Sequence, residues 1–300
     1  MNEEKTVLKI LVRDVPHHVE WIRQNSETSS KPIMVFVHGW GGSSRYWRST
    51  AEVLAKDFDC LLYDLRGFGR SELGSTAQQL SYELTEYAED LACLLDALNI
   101  KHRVYLHSHS MGATIAALFM TLYPQRVEKA ILTCNGIFEY NEKAFATFHK
   151  FGAYVVKFRY SWFLRIPFAD RLFIARFLNR PVPKQDRRAF LEDFLLAQEE
   201  AATETIYTSV NKKAVETMPQ KFTEITVPTL LISGEKDIII PAAMGRQAAA
   251  LNDNILYVEI PGTAHLPMLE DQTTYLTRVQ EFLRHGIHSS GASNQPSYSN

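Results

Sequence analysis

Short runs that are apolar at every position constrain the fold of this chain most strongly. The first run is Ile33–Val37, and similar runs recur at 60–63, 104–107, 130–133, 228–232 and Ile255–Ile260. A strand that is buried on both faces, as in a parallel sheet, has this pattern. Amphipathic helical patterns at 46–56, 81–98 and Met111–Leu122 alternate with the first of these runs. The sequence therefore predicts an α/β fold with a doubly wound, mostly parallel sheet.

The alternation is interrupted between residues 137 and 222. This stretch has a helical pattern, is dense in aromatic residues, and shows no further strand before Val227. We predict a helical cap at 137–222, inserted between a first part of the core at 1–136 and a second part at 223–285. Residues 286–300 are small and polar, which predicts a disordered tail.

Composition and charge limit the partners and the compartment. The net charge is only −2, so no overall field attracts nucleic acid, and no nucleic-acid recognition module is evident. Cys60, Cys93 and Cys134 lack zinc-ligand spacing, and we expect reduced, buried thiols. The N-terminus carries charges through its apolar run, unlike a signal peptide. We expect a cytoplasmic protein, a monomer or a homodimer, with no metal and no cofactor.

The stretch from Val104 to Phe119 places two serines and two histidines, residues 107–110, between a strand and a helix. A serine on a sharp strand-to-helix turn projects at the carboxyl end of the sheet, and the strained turn requires small residues two places before and after it. This register selects Ser110, flanked by Ser108 and Gly112. His107 and His109 are expected to be structural.

A serine hydroxyl needs a base and an orienting carboxylate to attack an ester at neutral pH. The Ser108–Gly112 segment resembles the Gly-x-Ser-x-Gly elbow of the α/β-hydrolase family, with Ser108 replacing the first glycine. The family order of serine, aspartate and histidine then implies Asp237 as the acid and His265 as the base, each on a loop after a late strand. Glu235 is an alternative acid.

Acyl transfer also requires two hydrogen-bond donors for the oxyanion. One is the backbone N–H of Met111, at the start of the helix after the serine. The loop HGWGG, which follows Ile33–Val37, resembles the family's His-Gly-x-Gly loop, and this implies the backbone N–H of Trp40 as the second donor. Asp64 and Arg66 are expected to be structural, as is His38. The candidate substrate-pocket residues are His38, Gly39, His109, Asn135, Phe138, Phe151, Trp162 and Leu266.

The predicted cap combines aromatic and basic residues. Ten aromatic residues lie between Phe148 and Phe177, and ten Lys or Arg residues accompany only two acids between Lys150 and Arg188. One interpretation is an ordinary cap whose aromatics pack on the core while its bases reach water. The other is a hydrophobic acyl pocket whose basic rim contacts an anionic membrane surface or an anionic part of the substrate. The acidic run at 192–204 is expected to be a solvated helix face.

These observations favour a cofactor-independent serine hydrolase that cleaves a carboxylic ester with an apolar acyl or alcohol part. The same three residues would also serve hydrolysis of a C–C bond, a thioester or a lactone, or perhydrolysis. A hydrolase-fold receptor that binds a ligand and signals is an alternative of another class. The expected partner is a small hydrophobic ester, with peripheral contact to an anionic membrane through the basic cap.

Overall fold

The structure is a computed structural model and describes residues 3–24, 30–74 and 80–289. Its centre is an eight-stranded sheet with the strand order β1–β2–β4–β3–β5–β6–β7–β8. The strands are β1 (Glu3–Val12), β2 (Val15–Gln24), β3 (Ile33–Val37), β4 (Asp59–Tyr63), β5 (Val104–His109), β6 (Val127–Thr133), β7 (Thr229–Gly234) and β8 (Ile255–Ile260). The β1–β2 and β2–β4 pairs are antiparallel, and the other pairs are parallel. The predicted α/β sheet is confirmed.

The central strands β3, β4 and β7 are buried on both faces, which explains why whole runs are apolar. The helices are α1 (Arg48–Leu54), α2 (Leu84–Ala97), α3 (Met111–Leu122), α4 (Glu142–Lys157), α5 (Ala169–Ile174), α6 (Lys184–Leu196), α7 (Glu199–Ser209), α8 (Lys212–Thr223), α9 (Ala242–Ala249), α10 (Pro267–Glu270) and α11 (Gln272–His285). Along β3, Val35 and Val37 pack in one core with α2 and α3, whereas Met34 and Phe36 pack in a second core with α1 and α11. Successive residues of a strand therefore enter different cores.

Two differences from the predicted elements affect the site. β5 continues through His109, two residues beyond its predicted end, so Ser110 follows the last strand residue directly. The helix predicted at 46–56 is instead a 3-10 turn, Ser44–Trp47, followed by the short α1. The side chain of Ser43 begins this turn by accepting a hydrogen bond from the backbone N–H of Arg45.

The helices α4–α8 lie between β6 and β7 and occupy the stretch predicted as a cap. We call residues 142–223 the helical insertion, and its role as a cap stays a prediction. The carboxylate of Asp193 in α6 accepts a hydrogen bond from Ser43 Oγ at 2.6 Å and also binds the guanidinium of Arg45. Asp193 is buried, so the expected solvated face of the acidic run is wrong at this residue.

The C-terminal helix is followed by a short turn, and the cysteines differ in part from expectation. Gly286–Ser289 forms a 3-10 turn after α11, and residues 290–300 lie outside the described part of the chain, so the disorder of the tail stays a prediction. Cys60 and Cys134 are buried as expected, but Cys93 is exposed. Within the described ranges, no helix combines the length and the apolar character needed to cross a membrane.

Candidate active site

A sharp turn between β5 and α3 carries Ser110. Its backbone has φ 54° and ψ −124°, a conformation that residues with a side chain adopt only under strain. Two places later, a Cβ on Gly112 would lie 2.3 Å from the carbonyl oxygen of His38, so glycine is required. Two places earlier, the buried hydroxyl of Ser108 donates to the carbonyl of Ile131 at 2.9 Å. This hydrogen bond explains how a serine is accommodated where the elbow pattern has glycine.

Three side chains meet at this turn, and we call Ser110, His265 and Asp237 the Ser–His–Asp cluster. The Nε2 atom of His265 lies 3.1 Å from Ser110 Oγ, and its Nδ1 lies 2.7 Å from Asp237 Oδ2. The other oxygen, Oδ1, accepts the backbone N–H groups of Ile239 and Ile240 at 2.8 and 3.0 Å. Sequence reasoning placed these three residues on separate loops, and the structure brings their side chains together.

The charge on Asp237 is held by its neighbours. Burial acts to raise the pKa of the carboxyl group, but the His265 imidazole and the two backbone donors outweigh burial and lower it. Asp237 is therefore ionised at neutral pH and can hold the proton of His265 on Nδ1. The alternative acid, Glu235, is more exposed, pairs with Lys236, and accepts the backbone N–H of Gly262.

The loops after β7 and β8 touch closely beneath His265. A Cβ on Gly234 would lie 1.9 Å from the carbonyl oxygen of Ala264, so only glycine permits this contact. The backbone N–H of His265 donates to the carbonyl of Phe177 in the helical insertion at 3.0 Å. The base is therefore positioned from both sides, by the core and by the insertion.

His109 links three loops behind the cluster. Its Nε2 lies 2.7 Å from the carbonyl oxygen of His265 and must donate to it, so Nδ1, 3.1 Å from the hydroxyl of Tyr46, accepts. The Tyr46 oxygen in turn accepts the backbone N–H of Gly39. Burial, followed by the adjacent His265 imidazole, holds the pKa of His109 well below its usual value, so it stays neutral. His109 therefore acts as a structural link, as expected from its register.

The predicted oxyanion donors lie on the two segments that flank the serine. Met111 is the first residue of α3, where backbone N–H groups lack partners within the helix. Gly39 passes beside the serine, since a Cβ on it would lie 3.1 Å from the Cβ of Ser110. Trp40 follows Gly39, and its indole N–H donates to the carbonyl of Ala202 in α7 at 2.8 Å. The insertion thus holds the side chain of Trp40.

Several of the candidate pocket residues are buried and make contacts within the protein. His38 Nδ1 donates to the carbonyl of Gly39 at 2.8 Å, and its Nε2 accepts the backbone N–H of Leu65. Asn135 donates to the carbonyl of Ser110 at 3.2 Å, which ties the loop after β6 to the elbow. Leu266 is fully buried in the second core. These side chains are buried, and their contact with a substrate stays a prediction.

The candidate pocket residues in the predicted cap differ in their solvent exposure. Phe138 is partly buried, whereas Phe151 and Trp162 are 61% and 53% exposed. The ring contacts of Trp162 are with Tyr160 and Phe163, close to it in sequence. Phe151 and Trp162 are therefore exposed on the surface, and their place in a substrate pocket stays a prediction.

Sequence reasoning missed an aromatic wall that joins the base to Trp40. The ring of Phe177 lies 6.0 Å from that of His265 and 5.6 Å from that of Phe190. Phe173 lies 4.6 Å from Phe194, which lies 5.6 Å from Trp40. The i, i+4 spacing of Phe190 and Phe194 on one face of α6 was the available signal. These rings place apolar surface between the candidate base and the candidate oxyanion loop.

A group of possible metal ligands also lies here. The donor atoms of His109, Cys134 and His265 are within 4.8 Å of one another. Both nitrogens of each imidazole already have hydrogen-bond partners, and burial raises the pKa of the Cys134 thiol well above its usual value. The donors are therefore occupied or protonated, and this set does not fit a resident metal.

The fold and this geometry define a class of α/β protein that presents a serine at a strand-to-helix turn, hydrogen-bonded to a histidine and an aspartate. The chain belongs to the α/β-hydrolase fold family, whose model matches residues 32–272. It is a hydrolase of that family, as the resemblance in sequence implied.

Similar proteins cover almost the whole chain. The uncharacterized hydrolase YugF of Bacillus subtilis (strain 168) is 23% identical over 273 residues, 87% of this chain and 93% of that protein. The esterase EaEST from Exiguobacterium antarcticum has a TM-score of 0.76 and 18% identity, covering 93% of this chain and 100% of that chain. The enol-lactonase from Burkholderia xenovorans LB400 has a TM-score of 0.74 and 20% identity, covering 92% and 99%. At such identities the structural similarity shows the fold.

Proposed function

We propose that this hydrolase cleaves carboxylic esters with an apolar acyl or alcohol part, through a covalent acyl-enzyme on Ser110. The observation that supports this most is the hydrogen-bonded series from Asp237 through His265 to Ser110 on a strained turn. A hydroxyl in this setting has both a base within reach and a carboxylate that orients the base.

In the proposed reaction, Ser110 Oγ attacks the ester carbonyl carbon while His265 Nε2 takes the hydroxyl proton. The backbone N–H groups of Met111 and Trp40 stabilise the oxyanion, each contributing about 3 kcal/mol. The imidazolium returns the proton to the leaving alcohol. Water, deprotonated by the same nitrogen, then releases the acid and restores the serine. Throughout, ionised Asp237 keeps the other proton on Nδ1.

The aromatic wall supports an apolar substrate. Phe173 and Phe177 are partly buried and pack against the buried rings of Phe190 and Phe194. Their remaining surface would favour an apolar acyl or alcohol part by removing it from water. C–C bond, thioester or lactone hydrolysis and perhydrolysis would use the same cluster, and a ligand receptor of the same fold is the alternative of another class. Substrate assays distinguish among these reactions.

Replacing Ser110 by alanine tests the nucleophile. We expect ester turnover to fall by at least about a thousandfold and labelling by a fluorophosphonate, followed by intact mass, to disappear. The matched control is Ser108→Ala, which removes a buried hydroxyl two residues away and should leave labelling intact. Labelling that persists in S110A would refute the assignment.

A substrate series tests the reaction. The specificity constant kcat/KM should rise with acyl chain length among p-nitrophenyl esters and exceed the values for a diketone, an enol-lactone and a carbamate. Faster turnover of one of the last three would replace the ester proposal. Very slow turnover of every substrate, together with ligand-dependent binding of another protein, would favour the receptor.

A further inference from the structure

The outer face of α4 in the helical insertion is aromatic and exposed. Phe148, Phe151, Tyr154 and Phe158 are 45%, 61%, 53% and 49% exposed. Their three- and four-residue spacings place them on one arc of about 120° at 100° per residue. The opposite arc is buried through Gly152 and Val156, small residues that pack toward α7. The helix therefore turns its largest apolar side chains away from the protein.

The segment after α4 extends this surface. Trp162, Ile166, Phe168 and Leu172 are 53%, 39%, 66% and 76% exposed. Phe168 also has a positive φ of 63°, which is rare for a bulky residue. We call these four residues and the four aromatics of α4 the aromatic face. The ring of Tyr160 contacts those of Phe158 and Trp162 and so joins the two segments. An exposed apolar surface of this kind marks an interaction site.

Cations flank the aromatic face. Lys143, Lys150 and Lys157 recur at seven-residue intervals and so form one exposed stripe along α4, next to the aromatic arc. Arg165, Arg171 and Arg176 are also exposed, and none of these six cations makes an ion pair with an acid in the described part of the chain. Their charge is thus available to a partner.

A small cleft lies beside the face. It has a volume of about 220 Å³ and is lined by Phe163, Phe168, Arg165, Lys184 and Arg188, together with Asp170. Asp170 is paired with Arg187 and Arg188 with Glu192, so Arg165 and Lys184 supply the net positive charge of the cleft. Its size and charge suit a phosphate-containing headgroup.

We propose that the aromatic face docks the protein on an anionic lipid bilayer. Interfacial binding requires exposed aromatic and aliphatic side chains that enter the acyl boundary, and cations that pair with headgroups. This surface supplies both, and it lies on the insertion that also holds Phe177 and Phe194 beside the candidate active site. Docking would bring the site to apolar esters in the membrane.

The proposal is tested by vesicle co-sedimentation, with phosphatidylcholine vesicles compared to mixed phosphatidylcholine–phosphatidylglycerol vesicles at low and high salt. The wild type should bind the anionic vesicles, and more weakly at high salt. The K150E/K157E/R171E variant should lower the partition coefficient about a hundredfold or more, since each cation near an anionic surface contributes about a factor of five. F151S/W162S/L172S should also lower it.

Matched controls come from exposed residues elsewhere. K101E/R103E/R278E carries the same charge change, and V7S/L11S removes apolar side chains that are 56% and 64% exposed on the edge strand β1. Both should bind like the wild type. Arg159 is not used, because its guanidinium donates to the carbonyls of Phe194 and Ala197 within the insertion.

Three outcomes would overturn the proposal. These are equal binding to neutral and anionic vesicles, binding unchanged in both test variants, and a stable dimer in solution that the aromatic variant alone dissociates. The last outcome would assign the face to a second copy of the chain. Vesicle binding by S110A should match that of the wild type, so a failure here is distinct from a failure of the proposed hydrolysis.

Discussion

Replacing Asp237 by asparagine tests the Ser–His–Asp cluster most sharply, because the structure dictates how the new amide must lie. Oδ1 accepts two backbone N–H groups, from Ile239 and Ile240. An amide NH₂ at that position would face two donors, so the amide oxygen must take it. The NH₂ group then faces His265 Nδ1, which is 2.7 Å away in the native protein.

This orientation forces His265 into the wrong tautomer. With Nδ1 accepting from the amide, the imidazole proton moves to Nε2, which then donates to Ser110 Oγ and cannot take its proton. We expect kcat to fall by about 10⁴-fold, the size of the effect when a triad aspartate becomes asparagine. This corresponds to about 5.4 kcal/mol of activation free energy. The fold should be kept, since both backbone donors retain an acceptor.

The assay is steady-state hydrolysis of a p-nitrophenyl ester at neutral pH, with circular dichroism as the check on folding. The matched control is Glu235→Gln, an acid two residues away that is partly exposed and bonded to Lys236 and Gly262. It should change kcat by less than about twofold, as for an exposed ion pair. Near-normal kcat in D237N with a large loss in E235Q would transfer the orienting role to Glu235. Near-normal values in both would refute the reasoning.

Two further predictions concern stability. Gly112→Ala places a Cβ 2.3 Å from the carbonyl oxygen of His38, so we expect a loss of about 3 kcal/mol or more in denaturant unfolding, against about 1 kcal/mol for Ser108→Gly, which loses one hydrogen bond. Equal losses of unfolding free energy in the two variants would contradict the close contact of Gly112 with His38. Asp64 is buried, yet its hydrogen bonds to Arg70 lower its pKa from 3.8 to about 2. Its ionised form therefore stabilises the fold above pH 3.8, and this stability is lost as pH falls, by about 1 kcal/mol at pH 3 and about 2 kcal/mol at pH 2. The free energy of unfolding, measured as a function of pH, should show this loss in the wild type but not in Asp64→Asn. The same pH dependence below pH 3.8 in both proteins would refute this prediction.

The sheet was predictable because its central strands are buried on both faces. β3 sends alternate residues into different cores, so it has no polar position and stands out in the sequence. The 3-10 turn Ser44–Trp47 was not predictable, because tertiary contacts shape it. Arg45 binds Asp193 and Tyr46 binds His109, both distant in sequence. Such contacts cannot be predicted from the local periodicity of the sequence.

The candidate site was predictable where chemistry fixes both residue type and place. The strand-to-helix turn indicated the serine, and the resemblance to the α/β-hydrolase family implied an aspartate after β7 and a histidine after β8. The sheet explains why the three can meet, since parallel strands end at one edge. The aromatic wall was not predictable, because its rings belong to the insertion. Phe190 and Phe194 gain their positions from how α6 packs on the oxyanion loop, and no strand end fixes that packing.

Helix α4 of the insertion departs from the usual pattern of an amphipathic helix, and this departure has a physical explanation. Sequence reasoning expects the largest apolar residues of a helix to face the core, yet α4 buries Gly152 and Val156 and exposes Phe151 and Phe158. A helix that contacts protein on one arc and water on the other gains nothing from aromatics on its outer arc. A helix between protein and lipid needs apolar groups on both arcs. Small groups are needed where another helix approaches closely, and large groups are needed where the side chains insert among acyl chains. The close approach of Gly152 to Ile206, where a Cβ would lie 2.8 Å away, meets the first requirement, and the aromatic face meets the second. The docking proposal therefore accounts for an arrangement that packing within the protein leaves without a cause.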